Sequence, residues 1–306
     1  MYRDAIVAVV VPAYNEEVLI RRVIETMPDY VDHIVVVDDC SQDTTAEVVR
    51  GYKAPLGERL VLLEHATNQG VGGAIATGYV WCCKHEIDAV AVMAGDAQMD
   101  PDDLPALLEP VVSGEVDYAK GNRLFTGDAW QQIPKVRYLG NSAMSLLTKI
   151  ASGYWHVADS QAGYTVINLK ALRTIDWEKM YKRYGQPNDL LVRLNVHSFR
   201  VRDVPVTPVY DIGEESGVRP IRMIPQLSWL LFKLFVYRMW QKYVIRDFHP
   251  LLFFYAMAFF LLAASVPLGG RVFYKWLIVG GTIPSVNALA WMSGTIAGLQ
   301  SLFFAM

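Results

Sequence analysis

The stretch DAVAVMAGDAQMDPDD, residues 88–103, decides the fold. Its first half is a run of small and apolar residues, as in a strand covered on both faces of a parallel sheet. The run stops abruptly at Asp96, and Asp100 follows four positions later. Elementary chemistry separates the two acids. Asp100 is followed by Pro101, Asp102 and Asp103 and then by Leu104, Leu107 and Leu108. A capping Asp, a Pro at the first helical position and acids in the first turn describe a helix start. Asp96 has no such explanation, because it sits directly on the strand end behind Gly95. Gln98 points to the same side if the chain stays extended. A carboxylate and an amide oxygen are hard ligands suited to Mg²⁺ or Mn²⁺, with most of the coordination shell left to water and phosphate. So sparse a site needs a diphosphate to complete it, which predicts a nucleotide-diphosphate substrate.

Outward from this stretch the pattern repeats. AIVAVVV (5–11), HIVVVDD (33–39) and RLVLLEH (59–65) also read as buried strands. Helical patterns lie between them at Glu16–Met27, Thr44–Tyr52, Gly72–Lys84 and Pro101–Val112. Four strand–helix alternations predict an open α/β sheet, Rossmann-like in layout. After residue 115 the alternation loosens into shorter strands, helices near Tyr138–Ala151 and Asp189–Val196, and VRDVPV (201–206). In such sheets ligands gather at the carboxyl ends of the strands. Those ends carry Pro12-Ala13-Tyr14-Asn15-Glu16-Glu17, Asp38-Asp39, Asn68-Gln69-Gly70-Val71-Gly72-Gly73 and Gly95-Asp96-Ala97-Gln98. All are polar, small or acidic, and they predict one cleft. Asn15 reads as a helix cap with Glu16 and Glu17 in the first turn. Of Asp38 and Asp39, one can cap the following helix while the other accepts hydrogen bonds from a base edge or a ribose. The glycine run is not a dinucleotide fingerprint: Ile75 stands at the third glycine position, and the loop follows the third strand rather than the first. Close packing of a helix on the sheet is the plainer use of these glycines.

The net charge of −3 gives no sign of nucleic-acid binding. The average conceals an asymmetry, since Phe248–Met306 contains no acid and only Arg271 and Lys275 as charges. Phe248–Gly270 is 23 residues without a charge, enough for a helix to cross a hydrocarbon core of about 30 Å. A second candidate span runs from about Ser285 onward; the chain ends inside it, as a truncated one would. Arg219, Arg222, Lys233, Arg238, Lys242 and Arg246 precede the first span. That bias predicts a cytoplasmic location for the preceding domain. Trp229–Arg246 mixes aromatic and basic residues and reads as a helix lying on an anionic membrane surface. The expected organisation is therefore a catalytic domain at 1–215, basic amphipathic helices at 216–247, and about two transmembrane helices at 248–306. The first residues do not read as a secretory signal. Cys40, Cys82 and Cys83 have no metal-ligand spacing and fit a reduced compartment.

VVVPAYNEE (9–17), VVVDDCSQDTT (35–45), NQGVGGAIATGY (68–79) and GDAQMDPDDLP (95–105) together resemble family 2 glycosyltransferases of the GT-A fold. GDAQMDP, the basic linker and the trailing spans narrow the resemblance to the polyprenyl-phosphate branch, which includes dolichyl-phosphate mannose synthase and its glucose and N-acetylhexosamine relatives. The resemblance implies an inverting enzyme that moves one sugar from a UDP- or GDP-sugar to a polyprenyl (dolichyl or undecaprenyl) phosphate at the cytoplasmic membrane face. It assigns Pro12, Tyr14, Glu16, Asp38, Asp39, Gly70, Asp96, Ala97 and Gln98 to the nucleotide, and Asp96 and Gln98 to the metal. Arg123, Arg137, Asn141 and Gln161 fall to the acceptor phosphate. Asp159, Gln161 and Gly163, with Asn188 and Asp189, line the acceptor and sugar pocket; Asp189 is a base or an orienting group, with a helix cap as the plainer reading. Where the mannose synthases commonly read D-A-D-x-Q, this chain has Ala94-Gly95-Asp96-Ala97-Gln98. The first acid is missing, and that departure leans the donor towards UDP. Two rivals remain, a processive polysaccharide synthase (the chain lacks Q-x-x-R-W) and a non-catalytic membrane-anchored sugar-nucleotide-binding subunit. A homo-oligomer is left open.

Overall fold

The computed structural model describes residues 1–123, 135–207, 220–280 and 285–305, with side chains outside 135–143 and 220–224. Within it the chain forms two compact units, Met1–Val236 and Tyr237–Met306. The first is built on a seven-stranded sheet of order β3-β2-β1-β4-β6-β5-β7. Its strands are β1 (Val7–Ala13), β2 (His33–Asp38), β3 (Leu60–Glu64), β4 (Ala89–Val92), β5 (Tyr118–Asn122), β6 (Thr165–Asn168) and β7 (Val201–Pro205). The helices are α1 (Ile20–Glu25), α2 (Thr45–Gly51), α3 (Lys53–Leu56), α4 (Val71–Lys84), α5 (Leu104–Val112), α6 (Lys135–Ser152), α7 (Leu169–Thr174), α8 (Gln186–Val196) and α9 (Pro220–Trp240). Neighbouring strands β3, β2, β1 and β4 are parallel. Strand β6 runs against both β4 and β5, and β7 is parallel to β5. β6 is thus the one reversed strand, so the loop leading into it opens onto the same edge as the carboxyl ends of its neighbours.

The continuous apolar strands are explained by burial on both faces. Val7, Val9, Val11, Ile34, Val36, Ala89 and Ala91 point into one core with α1 and α5. Ala8, Val10, Val35, Val37, Val90 and Val92 point into the other with α4, α7 and α8. Each such valine contributes about 1.5–3 kcal/mol through burial. Helix α5 presents Leu104, Leu107, Leu108 and Val111, the i, i+3, i+4, i+7 stripe, to the first core. The predicted strands and helices are all present with ends shifted by a few residues. Two expected helix starts differ: neither Asp38 nor Asp39 caps α2, whose cap position is Thr44, and Glu16 and Glu17 precede α1 rather than filling its first turn. Asn15 does not cap α1, because it takes φ +56 and its Oδ1 accepts from the Gln42 backbone N–H at 2.8 Å. The hydrogen-bonded turn leading into α1 instead begins at the Glu16 carbonyl.

The glycines after β3 serve close contacts. A Cβ on Gly78 would lie 2.4 Å from Val10 Cγ1, so α4 packs directly on β1. A Cβ on Gly72 would lie 2.5 Å from the Tyr181 carbonyl oxygen, which is backbone and cannot rotate away. Gly72→Ala is therefore expected to destabilise the protein by about 1–3 kcal/mol through overpacking. Gly51→Ala, where an added Cβ meets nothing within 4 Å, is the control. Thermal melts of the two variants check this, and equal melting points would contradict the packing argument.

In the second unit, α10 (Leu251–Tyr274) and α11 (Ser285–Ala305) pair through small residues. Added Cβ atoms on Gly269, Gly294 and Gly298 would collide with Trp291, Ser265 and Leu262. The helical segments Leu251–Val279 and Ser285–Ala305, which contain 18-residue stretches of mean hydropathy 2.2 and 1.3, are long and apolar enough to cross a membrane. A π-helical segment, Gln241–Arg246, carries Lys242 and Arg246 just before them.

Candidate active site

The strand order places β2 and β3 on one side of β1, and β4 on the other. The crevice between the carboxyl ends of β1 and β4 is the topological switch point, where open α/β sheets bind ligands. The Gly95 N–H donates to the Pro12 carbonyl at 3.1 Å across this crevice. A Cβ on Gly95 would stand 3.3 Å from Ala13 Cβ and from the Pro12 carbonyl oxygen, a tight contact that glycine relieves where the two loops meet. Asp96 follows, with its Oδ1 accepting from the Gln98 N–H at 3.1 Å. That turn requires Ala97 at φ +55. Asp100 closes the segment as its sequence predicts: its Oδ1 accepts from the Asp102 N–H at 3.0 Å, with Pro101 behind it.

Asp96 does have a carboxylate partner, but it is Glu16 and not Asp100. Burial first, and then the negative charges of Asp96 and Asp43, push the Glu16 carboxyl up to about 7. Two half-buried acids side by side, one raising the other's carboxyl, make a site in want of positive charge. With the Gln98 amide, the donor set is all oxygen and suits Mg²⁺ or Mn²⁺. Among the described residues no cluster of three or more His, Cys, Asp or Glu could hold a metal alone. An ion here needs further oxygens from elsewhere. Ala94 lines a cavity of ≈ 230 Å³ beside Arg22, Thr26 and Met99, on the α1 side of this loop.

The acids after β2 are both committed to local architecture. Asp38 accepts from the Ser41 hydroxyl and N–H. Asp39, 3% exposed, accepts from the Gln69 and Gly70 N–H groups at 2.8 and 2.7 Å. Its Oδ1 also meets His65 Nδ1 at 2.7 Å. Asp39 thereby pins the glycine loop, with Gly70 at φ +86 packed against the Lys182 carbonyl. Tyr14 stands at the crevice mouth, 44% exposed.

Beyond β4, the end of β5 and the loop 158–163 form a second polar centre on the same sheet edge. Arg123 grips Asp159 with a two-pronged fork, Nε to Oδ2 at 2.8 Å and Nη2 to Oδ1 at 3.2 Å. The Arg123 charge, with that of Lys120, holds the Asp159 carboxyl below its usual range despite burial. Lys120 and Asn122 point to one side of β5, as period two requires. Lys120 Nζ donates to the Ala162 carbonyl, and Asn122 Nδ2 to Asp203 Oδ2 at 3.2 Å. Asp203 Oδ2 in turn accepts from the Ala158 N–H at 2.6 Å. Three residues of Lys120-Gly121-Asn122-Arg123 thus lash one loop at both ends and the middle. Burial lowers the Lys120 ammonium to about 8, while Asp159 and Asp203 oppose the fall. The Tyr164 hydroxyl donates to the Asp100 carbonyl at 3.0 Å, tying this loop to the Asp96 segment.

Gln161 Nε2 donates to Asn188 Oδ1 at 3.1 Å, which also accepts from Thr148 Oγ1 of α6. Asn188 is fully buried, and its Nδ2 has no partner among the described residues. Asp189 accepts from the Tyr181 N–H at 2.7 Å and from Arg193 Nε at 2.8 Å. Burial raises its carboxyl although Arg193 pulls it down. These contacts make Asp189 an organiser of the start of α8. Arg137 and Asn141 belong to α6 at positions whose side chains lie outside the described residues. Sequence reading singled out neither Lys120 nor Asp203. The available signal was two polar residues, Lys120 and Asn122, alternating on a strand that is otherwise buried.

The family model for glycosyl transferase family 2 matches residues 8–176. Among curated proteins, the chain is 26% identical to a UDP-N-acetylglucosamine–dolichyl-phosphate N-acetylglucosaminyltransferase of Methanococcus voltae, over 68% of this chain and 87% of the relative. It is 30% identical to an undecaprenyl-phosphate mannosyltransferase of Micrococcus luteus, over 69% and 86%. The fold resembles that of glucosyl-3-phosphoglycerate synthase from Mycobacterium tuberculosis, solved with Mn²⁺, UDP and phosphoglyceric acid, at a TM-score of 0.55 and 18% identity over 77% and 78% of the two chains. Sheet order, the switch-point crevice and the family match agree: the chain has the GT-A fold and belongs to glycosyl transferase family 2.

Proposed function

We propose that this glycosyltransferase moves one sugar from a nucleotide-diphosphate sugar to a polyprenyl phosphate at the cytoplasmic face of a membrane. The carrying observation is the pairing of an acidic crevice, Glu16 with Asp96, and an arginine centre, Arg123 on Asp159, on one sheet edge. The relatives whose names specify dolichyl and undecaprenyl phosphate support the acceptor class. The neighbour's Mn²⁺ and UDP support a divalent ion and lean the donor towards UDP. The candidate spans and the basic residues before them support membrane anchorage with residues 1–215 in the cytoplasm.

A bound Mg²⁺ or Mn²⁺ would supply Lewis-acid stabilisation of the departing nucleoside diphosphate. Asp96 and Gln98 would hold it, with Glu16 adding negative charge. A polyprenyl phosphate is already an anion near neutral pH, so no strong general base is needed. Its oxygen forms the bond to the anomeric carbon as the bond to the diphosphate breaks, and the electron pair leaves with the nucleotide. Arg123, and Arg137 from α6, position that nucleophile in line, for which a guanidinium fork is suited. Asp39 holds the loop that shapes the nucleotide pocket, and Asp189 orients the Tyr181 segment.

The test is purified full-length protein in detergent with Mn²⁺, a short-chain polyprenyl phosphate and a panel of UDP- and GDP-sugars. A monoglycosylated lipid phosphate from one donor is expected. Binding of a donor without transfer would favour the non-catalytic subunit, and products with several sugars would favour a processive synthase.

A further inference from the structure

His65 lies one residue past β3, at the carboxyl end of the sheet, with its side chain 7% exposed. No step of the proposed transfer uses it. Its backbone N–H donates to the Asp38 carbonyl at 2.9 Å, which continues the ladder between β2 and β3. Both ring nitrogens have partners. Nδ1 meets Asp39 Oδ1 at 2.7 Å, and Nε2 meets Thr77 Oγ1 of α4 at 2.8 Å. Asp39 accepts the Gln69 N–H on Oδ1 and the Gly70 N–H on Oδ2, so it acts as an acceptor at both oxygens. The ring proton therefore sits on Nδ1, and the Thr77 hydroxyl serves Nε2. The Asp39 N–H donates to the Ala13 carbonyl at the end of β1, at 2.9 Å. Asp39 thus ties the β1 end to the glycine loop, and His65 ties Asp39 to β3 and α4. A carboxylate turns readily about its last torsion, which lacks sharp staggered minima. Two donors, one to each oxygen, fix a line through the group but not its tilt. His65 adds a third donor, and its own ring is anchored at the far nitrogen.

We propose that His65 is a positioning residue for the donor nucleotide. It sets the plane of the Asp39 carboxylate and, through it, the seat of the glycine loop 68–73 beside the β1 end. The inference rests on the reading that the loops after β1, β2 and β3 receive the nucleotide. The glycine loop is built for a fixed shape rather than for give. Gly70 has φ +86, and added Cβ atoms on Gly70 and Gly72 would strike the Lys182 and Tyr181 carbonyls. The Gly73 N–H donates to the Lys182 carbonyl at 3.0 Å. The segment 181–183 thus backs the glycines, while Asp39 holds the residues that lead into them. Sheet order separates this strut from the arginine centre, because β2 and β3 lie on one side of β1 while Arg123 follows β5, beyond β4 and β6. Loss of the His65 contact should therefore weaken the nucleotide and spare the acceptor.

The test compares two amides in the full-length protein in detergent. At position 65 an asparagine amide reaches the place of Nδ1, and a glutamine amide reaches the place of Nε2. His65→Asn thus keeps a donor for Asp39 and loses Thr77, whereas His65→Gln does the reverse. UDP and GDP, each with Mn²⁺, are titrated by calorimetry, with acceptor KM for a short-chain polyprenyl phosphate and melting temperature read beside them. His65→Gln is expected to weaken the nucleotide that wild type binds about tenfold, and His65→Asn by less than about threefold. Acceptor KM should stay at the wild-type value in both. Equal losses in the two variants, or wild-type affinity in His65→Gln, would overturn the proposal. A rise in acceptor KM as large as the loss of nucleotide affinity would overturn it too. Should His65→Gln fail to fold, Thr77→Val decides, since it slackens the ring and leaves Asp39 in place. Nucleotide binding about threefold weaker is then expected, and unchanged binding ends the proposal. Failure of the underlying reading looks different: Asp39→Asn would then bind the nucleotide as wild type does. Wild type binding neither nucleotide would end both.

Discussion

Asp96→Ala is expected to lower metal-dependent turnover by about 10²–10³-fold or more, the scale of losing a group that stabilises charge developing in the transition state. Asp96 stands at the mouth of the β1–β4 crevice, and its Oδ1 accepts a local N–H from Gln98, a bond on which no distant structure hangs. Membrane insertion and folding should therefore survive. The change should also relieve Glu16, since Asp96 is the larger of the two charges that raise its carboxyl. Burial remains and keeps Glu16 above its ordinary value. Turnover measured across a Mn²⁺ series, with nucleotide binding followed by calorimetry, separates lost metal affinity from lost chemistry. Asp100→Ala is the contrast. It removes a helix-start bond worth about 0.5–2 kcal/mol and should leave turnover per folded molecule intact. Full activity in Asp96→Ala would end the assignment of a metal there.

The contrast between these two acids also shows what a sequence can carry. Asp100 was legible because its partner, the Asp102 N–H, lies two residues away and the Asp-Pro signal is local. The four parallel strands were legible because burial on both faces demands unbroken apolar runs. Partners brought together by the sheet were not. Asp39 binds N–H groups about 30 residues downstream, and nothing in VVVDDCSQDTT reveals that the glycine loop will use both of its oxygens. Glu16 and Asp96 are 80 residues apart, and only the β1–β4 adjacency makes them a pair. The close approach of Gly72 depends on the Tyr181 segment, more than 100 residues later. Lys120 was hidden for a further reason: composition treats lysine as a surface residue, and its compensation comes from Asp159 and Asp203, which flank it only in the folded sheet. Local grammar thus located the crevice and its edge residues, while pairwise electrostatics required the topology.

Arg123→Ala is expected to raise acceptor KM about 10–100-fold, with donor KM little changed. The magnitude follows from losing charge-assisted hydrogen bonds of about 1.5–3 kcal/mol. A second consequence must be separated from it, because the truncation also strips Asp159 of its fork. Removing one partner of a fully buried pair costs about 3–5 kcal/mol, but Arg123 is a third exposed and its pair is partly screened by solvent. Lys120 also remains to compensate the carboxylate. The stability loss should therefore fall below that range, and a melting curve measures it directly. Arg123→Lys sharpens the argument, since it keeps the charge and loses the planar fork. If geometry matters, it should sit between wild type and alanine in acceptor KM. If only charge matters, it should match wild type. Should Arg123→Ala melt lower yet use the polyprenyl phosphate as well as wild type does, then the arginine is a brace for the loop 158–163 and the phosphate must be held elsewhere.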